Sequence, residues 1–368
     1  MSSAAAKSTC DDNTYAPLTV PHRPSPSPAC LALSNPSRYT GAPYFAAYAA
    51  LKMGADLAHV FCTERAGPVI KAYSPELIVH PYLSEKSAVS TVMKKFEPWL
   101  NKFKVPGTCV IVGPGLGRDP KVLAQAREIL LQFNARGVPV VLDADGLHML
   151  GHFEDLWDEL DLNNVVLTPN GAEWRRLMDG TFYRDGVIRD GGATIVRKGI
   201  TIPDIYSRDD TRPYDFSQRR FFEGGTLEAR YALKCAEPGS NRRAGGQGDV
   251  LTGCIATFIA WNYPTLWSDS SWKVEMEETS RRPAGRDIPK EVVDASDEDV
   301  LLVLAADAGC TVTRMANRRA FEKHHRAMGA PDLISELGGI IYDLETVRDA
   351  RLGPMRRRDW QDHERSRY

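Results

Sequence analysis

The sequence predicts an α/β fold: a mostly parallel central sheet with helices on both faces. Three observations lead there. Short apolar, β-branched runs recur along the chain, helix-like segments separate them, and glycines and polar groups gather where the runs end.

In chain order, residues 1–38 contain PHRPSPSPA and little hydrophobic periodicity, which reads as a disordered or divergent leader. YFAAYAALKMGA is helix-like, and LAHVFC near residue 60 reads as a buried strand. SEKSAVSTVMKKFEPWLNKF is a long helix-like segment, followed by a strand in TCVIVG (108–113). DPKVLAQAREILLQFNARG opens on an acid and a proline and closes on glycine, the signature of a capped helix. VPVVLDAD (138–145), NVVLTP (164–169) and ATIVRKG (193–199) complete the strands. Two irregular stretches, near 200–240 and 268–299, read as surface insertions. DVLLVLAADAGCTVTRMANRRAFEKHHRA and PDLISELGGII resume helical patterns, and the charged residues 346–368 form a tail after a core domain spanning 39–345.

Composition narrows the function classes. Forty-six basic residues against 48 acidic ones leave a formal charge of -2, so no overall field recruits nucleic acid or an anionic membrane. The seven cysteines are scattered without a CxxC pair, which favours reduced thiols over a disulfide framework or zinc site. No secretory pattern or apolar run of membrane-spanning length occurs, so the cytoplasm is the default location, with a mitochondrial form left open.

Candidate chemistry clusters at predicted strand ends, where ligands of open α/β sheets bind. VGPGLGRD places Gly113, Gly115 and Gly117 between strand and helix, either as an approach to backbone amides or as a tight turn alone. A dinucleotide-binding fingerprint with Asp143 on a ribose fits poorly, because Pro114 breaks the GxGxxG spacing. Asp143 and Asp145 could hold a metal or orient a hydroxyl, or simply cap a turn. Asn170, Glu173 and Arg176 share one face of a helix start, and Lys198 ends a strand where it could meet a phosphate or snorkel. The P-loop, HExxH and GxSxG patterns are absent.

RRAGGQGDVLTG is the richest stretch. Its glycines precede an apolar helix, so the amides of Gly246, Gln247 and Gly248 are expected to converge on an anion, helped by the helix dipole. Asp249 in the first turn is expected to stay ionised and to accept a hydroxyl proton as a phosphoryl group arrives, with a plain N-cap as the alternative.

GGQGD after GSNRRA, with TPNGAEWRRL, VGPGLGRD, LDADGLHML, YTGAPYFAAYAALKMGADLAHVFC and AGCTVTRMANRRAFEKHHRAM, resembles the eukaryotic ATP-dependent NAD(P)H-hydrate dehydratases across most of residues 39–342. The resemblance implies the ribokinase-like α/β fold and a lyase that dehydrates the S-form of hydrated NADH or NADPH, with ATP as co-substrate and Mg²⁺ as cofactor. It implies substrate contacts from Gly117, Asn170, Gly171, Ala172, Glu173, Trp174, Arg175, Arg176 and Asp249, with Asp249 also the catalytic base. ATP contacts are implied for Lys198, Gly199, Ile200, Thr201 and Ile202, and for Gly239, Ser240, Asn241, Arg242, Arg243, Ala244, Gly245, Gly246, Gln247 and Gly248. No metal ligands are assigned. The resemblance also implies pairing with an NAD(P)H-hydrate epimerase and is compatible with a homo-oligomer. The family's glycine-rich first strand is replaced here by CLALSNPSR, which bears on that strand and one pocket wall, and its K-G-x-x-D is altered, with Asp204 two positions late. A small-molecule kinase on the same fold, or a non-catalytic nucleotide-binding relative, are the competing readings.

Overall fold

The computed structural model describes residues 29–33, 39–103, 107–177, 183–184, 187–188, 193–199, 235, 237–262 and 298–352. Ile200, Thr201, Ile202 and Asp204 lie outside these residues, as do the expected leader up to residue 28 and most of both expected insertions.

Nine strands are described: β1 (Ala29–Leu33), β2 (Leu57–Thr63), β3 (Ile78–Leu83), β4 (Thr108–Val112), β5 (Val140–Leu142), β6 (Val165–Leu167), β7 (Tyr183–Arg184), β8 (Val187–Ile188) and β9 (Thr194–Ile195). The described helices are α1 (Gly41–Met53), α2 (Gly67–Tyr73), α3 (Val89–Lys102), α4 (Pro120–Asn134), α5 (Asp145–His152), α6 (Leu156–Glu159), α7 (Gly171–Arg176), α8 (Gln247–Asn262), α9 (Glu298–His324) and α10 (Ala330–Leu352). Seven strands form one sheet in the order β3-β2-β1-β4-β5-β6-β9, every pair parallel, while β7 and β8 pair antiparallel.

The continuous apolar strands follow from burial on both faces. Cys109, Ile111, Val141 and Val166 point into the core shared with α1, α8, α9 and α10. Their neighbours Val110, Val112, Val140, Leu142, Val165 and Leu167 point into the core under α3, α4 and α5. Helix α4 begins as its sequence predicts: Asp119 accepts hydrogen bonds from the amides of Lys121 and Val122, and Pro120 occupies the first turn.

Two boundaries differ from the sequence expectation. Ala29–Leu33, assigned above to the leader, is the interior strand β1, paired along its whole length with β2 and β4. Backbone pairing on both sides lets a short run after a proline-rich segment become a strand without the family's glycines. The expected tail from residue 346 likewise begins inside α10, which continues to Leu352. Strand β3 was not expected from the pattern; it lies at the sheet edge and carries Pro81, whose missing N–H is tolerated there.

His59 on β2 and His80 on β3 are both buried, with Nδ1 of the first 2.9 Å from Nε2 of the second, among Phe61, Trp99 and Phe103. Burial pushes both imidazoles down to about 4, assisted at His59 by His80 and at both by Lys102. An unfolded imidazole titrates near ~6.5, so as pH falls from there towards 4 the unfolded chain takes up protons that the folded chain refuses. Stability is therefore lost on acidification through that window, by up to about 1.4 kcal/mol per pH unit for each ring. A His59→Phe/His80→Leu variant should show a flatter fall in thermal midpoint between about pH 7 and 5. An unchanged fall would remove the pair as its source.

Candidate functional site

Strand order reverses between β1 and β4, since β2 and β3 extend from one side of β1 and the remaining strands from the other. Such a switch point opens a crevice at the carboxyl ends of the strands. The VGPGLG loop leaves β4 there, and a Cβ on Gly113 (φ 123°) would stand 1.7 Å from the Asp143 carbonyl oxygen. Only glycine permits this approach of the loops after β4 and β5. Beyond it, the Gly117 amide donates to Asp145 Oδ2 at 2.9 Å, and Arg118 Nε lies 3.5 Å from Asp145 Oδ1.

Asp143 is the polar centre of the crevice. Its side chain is 2% exposed, and it accepts from Lys198 Nζ, from the Ala144 amide at 2.9 Å and from Thr252 Oγ1 at 2.9 Å. One carboxylate thus ties together the ends of β5 and β9 and the first turns of α8. Ala144 beside it adopts φ 49°, ψ -113°, a region an L-residue occupies only when its surroundings fix it. Lys198 is positioned by its own amide, which donates to the Pro169 carbonyl at 2.8 Å after β6.

Helix α8 enters through Gly246, at φ 86°, where a Cβ would come within 2.8 Å of Phe45 and 2.9 Å of Ala330. A Cβ on Gly248 would point at Lys198 Nζ, 3.4 Å away, and at Asp143 Oδ2, 3.9 Å away. The open first turn of α8 therefore faces the Lys198 ammonium, which joins a helix N-terminus to a fixed cation. The Gln247 amide departs from the expected cradle, because it donates to the Ala244 carbonyl at 3.3 Å. Ala244 buries its side chain in the core. Gly239, Ser240, Arg242, Gly246 and Gly248 are partly buried along the approach to α8, while Asn241, Arg243, Gly245 and Gly199 are exposed.

Asp249 lies in the first turn of α8 and keeps part of its surface open. Surrounding protein pushes its carboxyl up to about 8, chiefly by desolvation and then by the charge of Asp143, with Glu173 adding to the rise and Lys198 opposing it. This departs from the expectation of an ionised carboxylate, since burial and then the like charge of Asp143 favour the neutral form. The base form of the group therefore grows as pH rises towards that value.

On α7, Asn170 accepts from the amides of Ala172 and Glu173, both at 3.0 Å, and Glu173 accepts from the Asn170 amide at 2.8 Å. This capping box fixes the NGAEWRR turn, so the polar pattern has a structural role as well as its placement at the crevice. Gly171, Ala172, Arg175 and Arg176 are exposed, and the Arg197 guanidinium sits 5.6 Å from the Trp174 ring centroid. A cavity of about 130 Å³ lies between α5 and α7, bordered by Arg118, Asp145, His148, Glu173 and Arg176.

Lys198 and Gly248 thus meet at Asp143, Asp249 lies within electrostatic reach of Asp143, Lys198 and Glu173, and Glu173 and Arg176 border the cavity whose Asp145 accepts from the Gly117 amide. Sequence reasoning left Asp143 among several options and missed Thr252, which contacts it from 109 positions away. The strand-end position of Asp143 was the available signal; nothing local marked Thr252.

A parallel sheet whose switch point receives a glycine-rich helix N-terminus, a lysine and a carboxylate defines an open α/β protein with a ligand site at the carboxyl ends of its strands. A ribokinase-like superfamily protein of Enterococcus faecalis shares this fold, with a TM-score of 0.55 at 17% identity over 88% of this chain and 92% of that one. The chain belongs to the NAD(P)H-hydrate dehydratase family, whose profile matches residues 33–198. It is 38% identical to the ATP-dependent (S)-NAD(P)H-hydrate dehydratase of Bos taurus over 300 residues, 82% of this chain and 77% of that protein. The Homo sapiens protein of the same name is 37% identical over 306 residues, covering 83% and 75% respectively. Among the described residues no helix is long and apolar enough to cross a membrane.

Proposed function

We propose that the protein is a lyase that uses ATP to dehydrate the S-form of hydrated NADH or NADPH, releasing NAD(P)H, ADP and phosphate. Family membership supports the activity, and the observation that carries the site assignment is the convergence of Lys198, the open N-terminus of α8 and Asp249. The elimination is difficult because hydroxide leaves poorly. Asp249 in its ionised form accepts the proton of the ring hydroxyl, whose oxygen attacks the γ-phosphorus as the bond to ADP breaks. The ring nitrogen then pushes out phosphate, the C–O bond breaks, and loss of a proton from the adjacent ring carbon restores the double bond. Lys198 and the α8 amides meet the charge on the transferring phosphoryl group.

The dinucleotide is assigned to Gly117, Asn170 through Arg176 and Asp249, and ATP to Lys198, Gly199 and the Gly239–Gly248 segment. Among the described residues no group of three or more His, Cys, Asp and Glu side chains could hold a metal, and the Asp143 oxygens already accept from Lys198, Ala144 and Thr252. These residues do not fit a resident divalent ion. Mg²⁺ is therefore taken to arrive on the ATP phosphates, where such ions retain several waters.

The stoichiometry tests this reading. With hydrated NADH and ATP, ADP should form in step with reduced nicotinamide; a stable phosphorylated product would instead identify a small-molecule kinase.

A further inference from the structure

The side chain of Asn317, on α9, is joined to the segment that enters α8 by three hydrogen bonds. Its Oδ1 accepts from the Ser240 amide at 2.6 Å, and its Nδ2 donates to the Arg242 carbonyl at 3.0 Å and to Gln247 Oε1 at 3.2 Å. The residue is 2% exposed. A backbone amide can only donate and a backbone carbonyl can only accept, so the two main-chain partners fix which end of the carboxamide faces which. Aspartate would offer no donor to Arg242, and leucine would offer neither group. The next residue, Arg318, pairs with buried Glu237 and reaches the Pro238 carbonyl at 3.4 Å, which anchors the start of the same segment. Gly239 lies so near α9 that an added Cβ would be 3.4 Å from Asn317 Oδ1.

These contacts span from residue 240, before the glycines, to residue 247, the first of α8. The glycines between them have a large backbone entropy to lose on being ordered around an anion. A side chain that ties both ends of the run removes part of that loss before any ligand arrives. We propose that Asn317 is a positioning residue for the ATP triphosphate, setting the shape of the Gly239–Gly248 segment through the segment's own atoms. This rests on the assignment of that segment to ATP.

The test uses the full chain with Asn317→Leu, which matches the amide in shape, and Asn317→Ser, which leaves a hydroxyl. KM for ATP, KM for hydrated NADH and kcat are measured, with amide hydrogen exchange across residues 239–248 in the presence and absence of ATP. Asn317→Leu should raise KM for ATP about tenfold or more, leave KM for hydrated NADH within about twofold, and recover kcat to within a few-fold at saturating ATP. Exchange in the ATP-free segment should quicken. A purely structural role would lower the active fraction and thermal midpoint with both KM values unchanged, and that result overturns the inference. If ATP protects the segment in the parent and binds the variants equally tightly, the inference alone falls. If ATP leaves the parent segment unprotected while turnover proceeds, the ATP assignment falls and takes the inference with it. Should Asn317→Leu lose its cooperative thermal transition, Asn317→Ser decides, with about threefold or more in KM for ATP expected and no change contradictory.

Discussion

Asp249→Asn should lower kcat by about a hundredfold to ten-thousandfold, the usual range for losing a positioned general base, while ATP still stabilises the protein against heat. The pH dependence sharpens this expectation. Burial and Asp143 hold the Asp249 carboxyl up to about 8, so the base form grows as pH rises through that value. In the parent enzyme kcat/KM should climb accordingly, and the residual activity of Asp249→Asn should lack that limb. Stability should move the other way. The folded chain holds this proton more tightly than the unfolded one, so the parent loses stability as pH rises from the ordinary carboxylate range towards 8. Asp249→Asn removes that loss and should melt higher than the parent above about pH 8. A variant that is more stable but inactive cannot owe its inactivity to misfolding. Near-normal turnover, or an unchanged pH limb, would take Asp249 out of the catalytic role.

The second large effect concerns the Asp143–Lys198 pair. Lys198→Met leaves a carboxylate that is 2% exposed without its cation, retaining only the Ala144 amide and Thr252 hydroxyl as donors. Breaking a buried pair from one side is expected to destabilise the fold by about 3 kcal/mol, or roughly 6–12 °C in thermal midpoint. It should also raise KM for ATP about tenfold or more, because the cation facing the first turn of α8 is gone. The double change Lys198→Met/Asp143→Asn separates these consequences. It removes the stranded charge, so most of the midpoint should return while the weak ATP binding persists. If the double variant is no more stable than the single one, the loss does not come from the unpaired carboxylate.

The limits of sequence reading fall where contacts are long in range. Strands β4, β5 and β6 were legible because burial on both faces leaves an unbroken β-branched run, and α4 because its caps are written locally in Asp119 and Pro120. Strand β1 was not: ACLAL is short and follows a proline-rich stretch, and only its partners in β2 and β4 make it a strand. Strand β3 was hidden by Pro81 and by its edge position. Within the crevice, glycine spacing pointed to the loops, since close backbone approach demands that residue type. The side-chain ties of Asp143 to Thr252 and of Asn317 to Ser240 join residues 109 and 77 positions apart, and no periodicity encodes them. The raised Asp249 carboxyl is equally illegible in the sequence, because its burial and the charges of Asp143 and Glu173 come from other elements of the fold.

The measurement closest to the central claim is recovery of reduced-nicotinamide absorbance when the purified protein is given S-form hydrated NADH with ATP and Mg²⁺. Absorbance should return only with ATP present, and Asp249→Asn should abolish most of the rate. A folded chain that binds ATP yet restores no absorbance from the hydrated cofactor would contradict the dehydratase assignment.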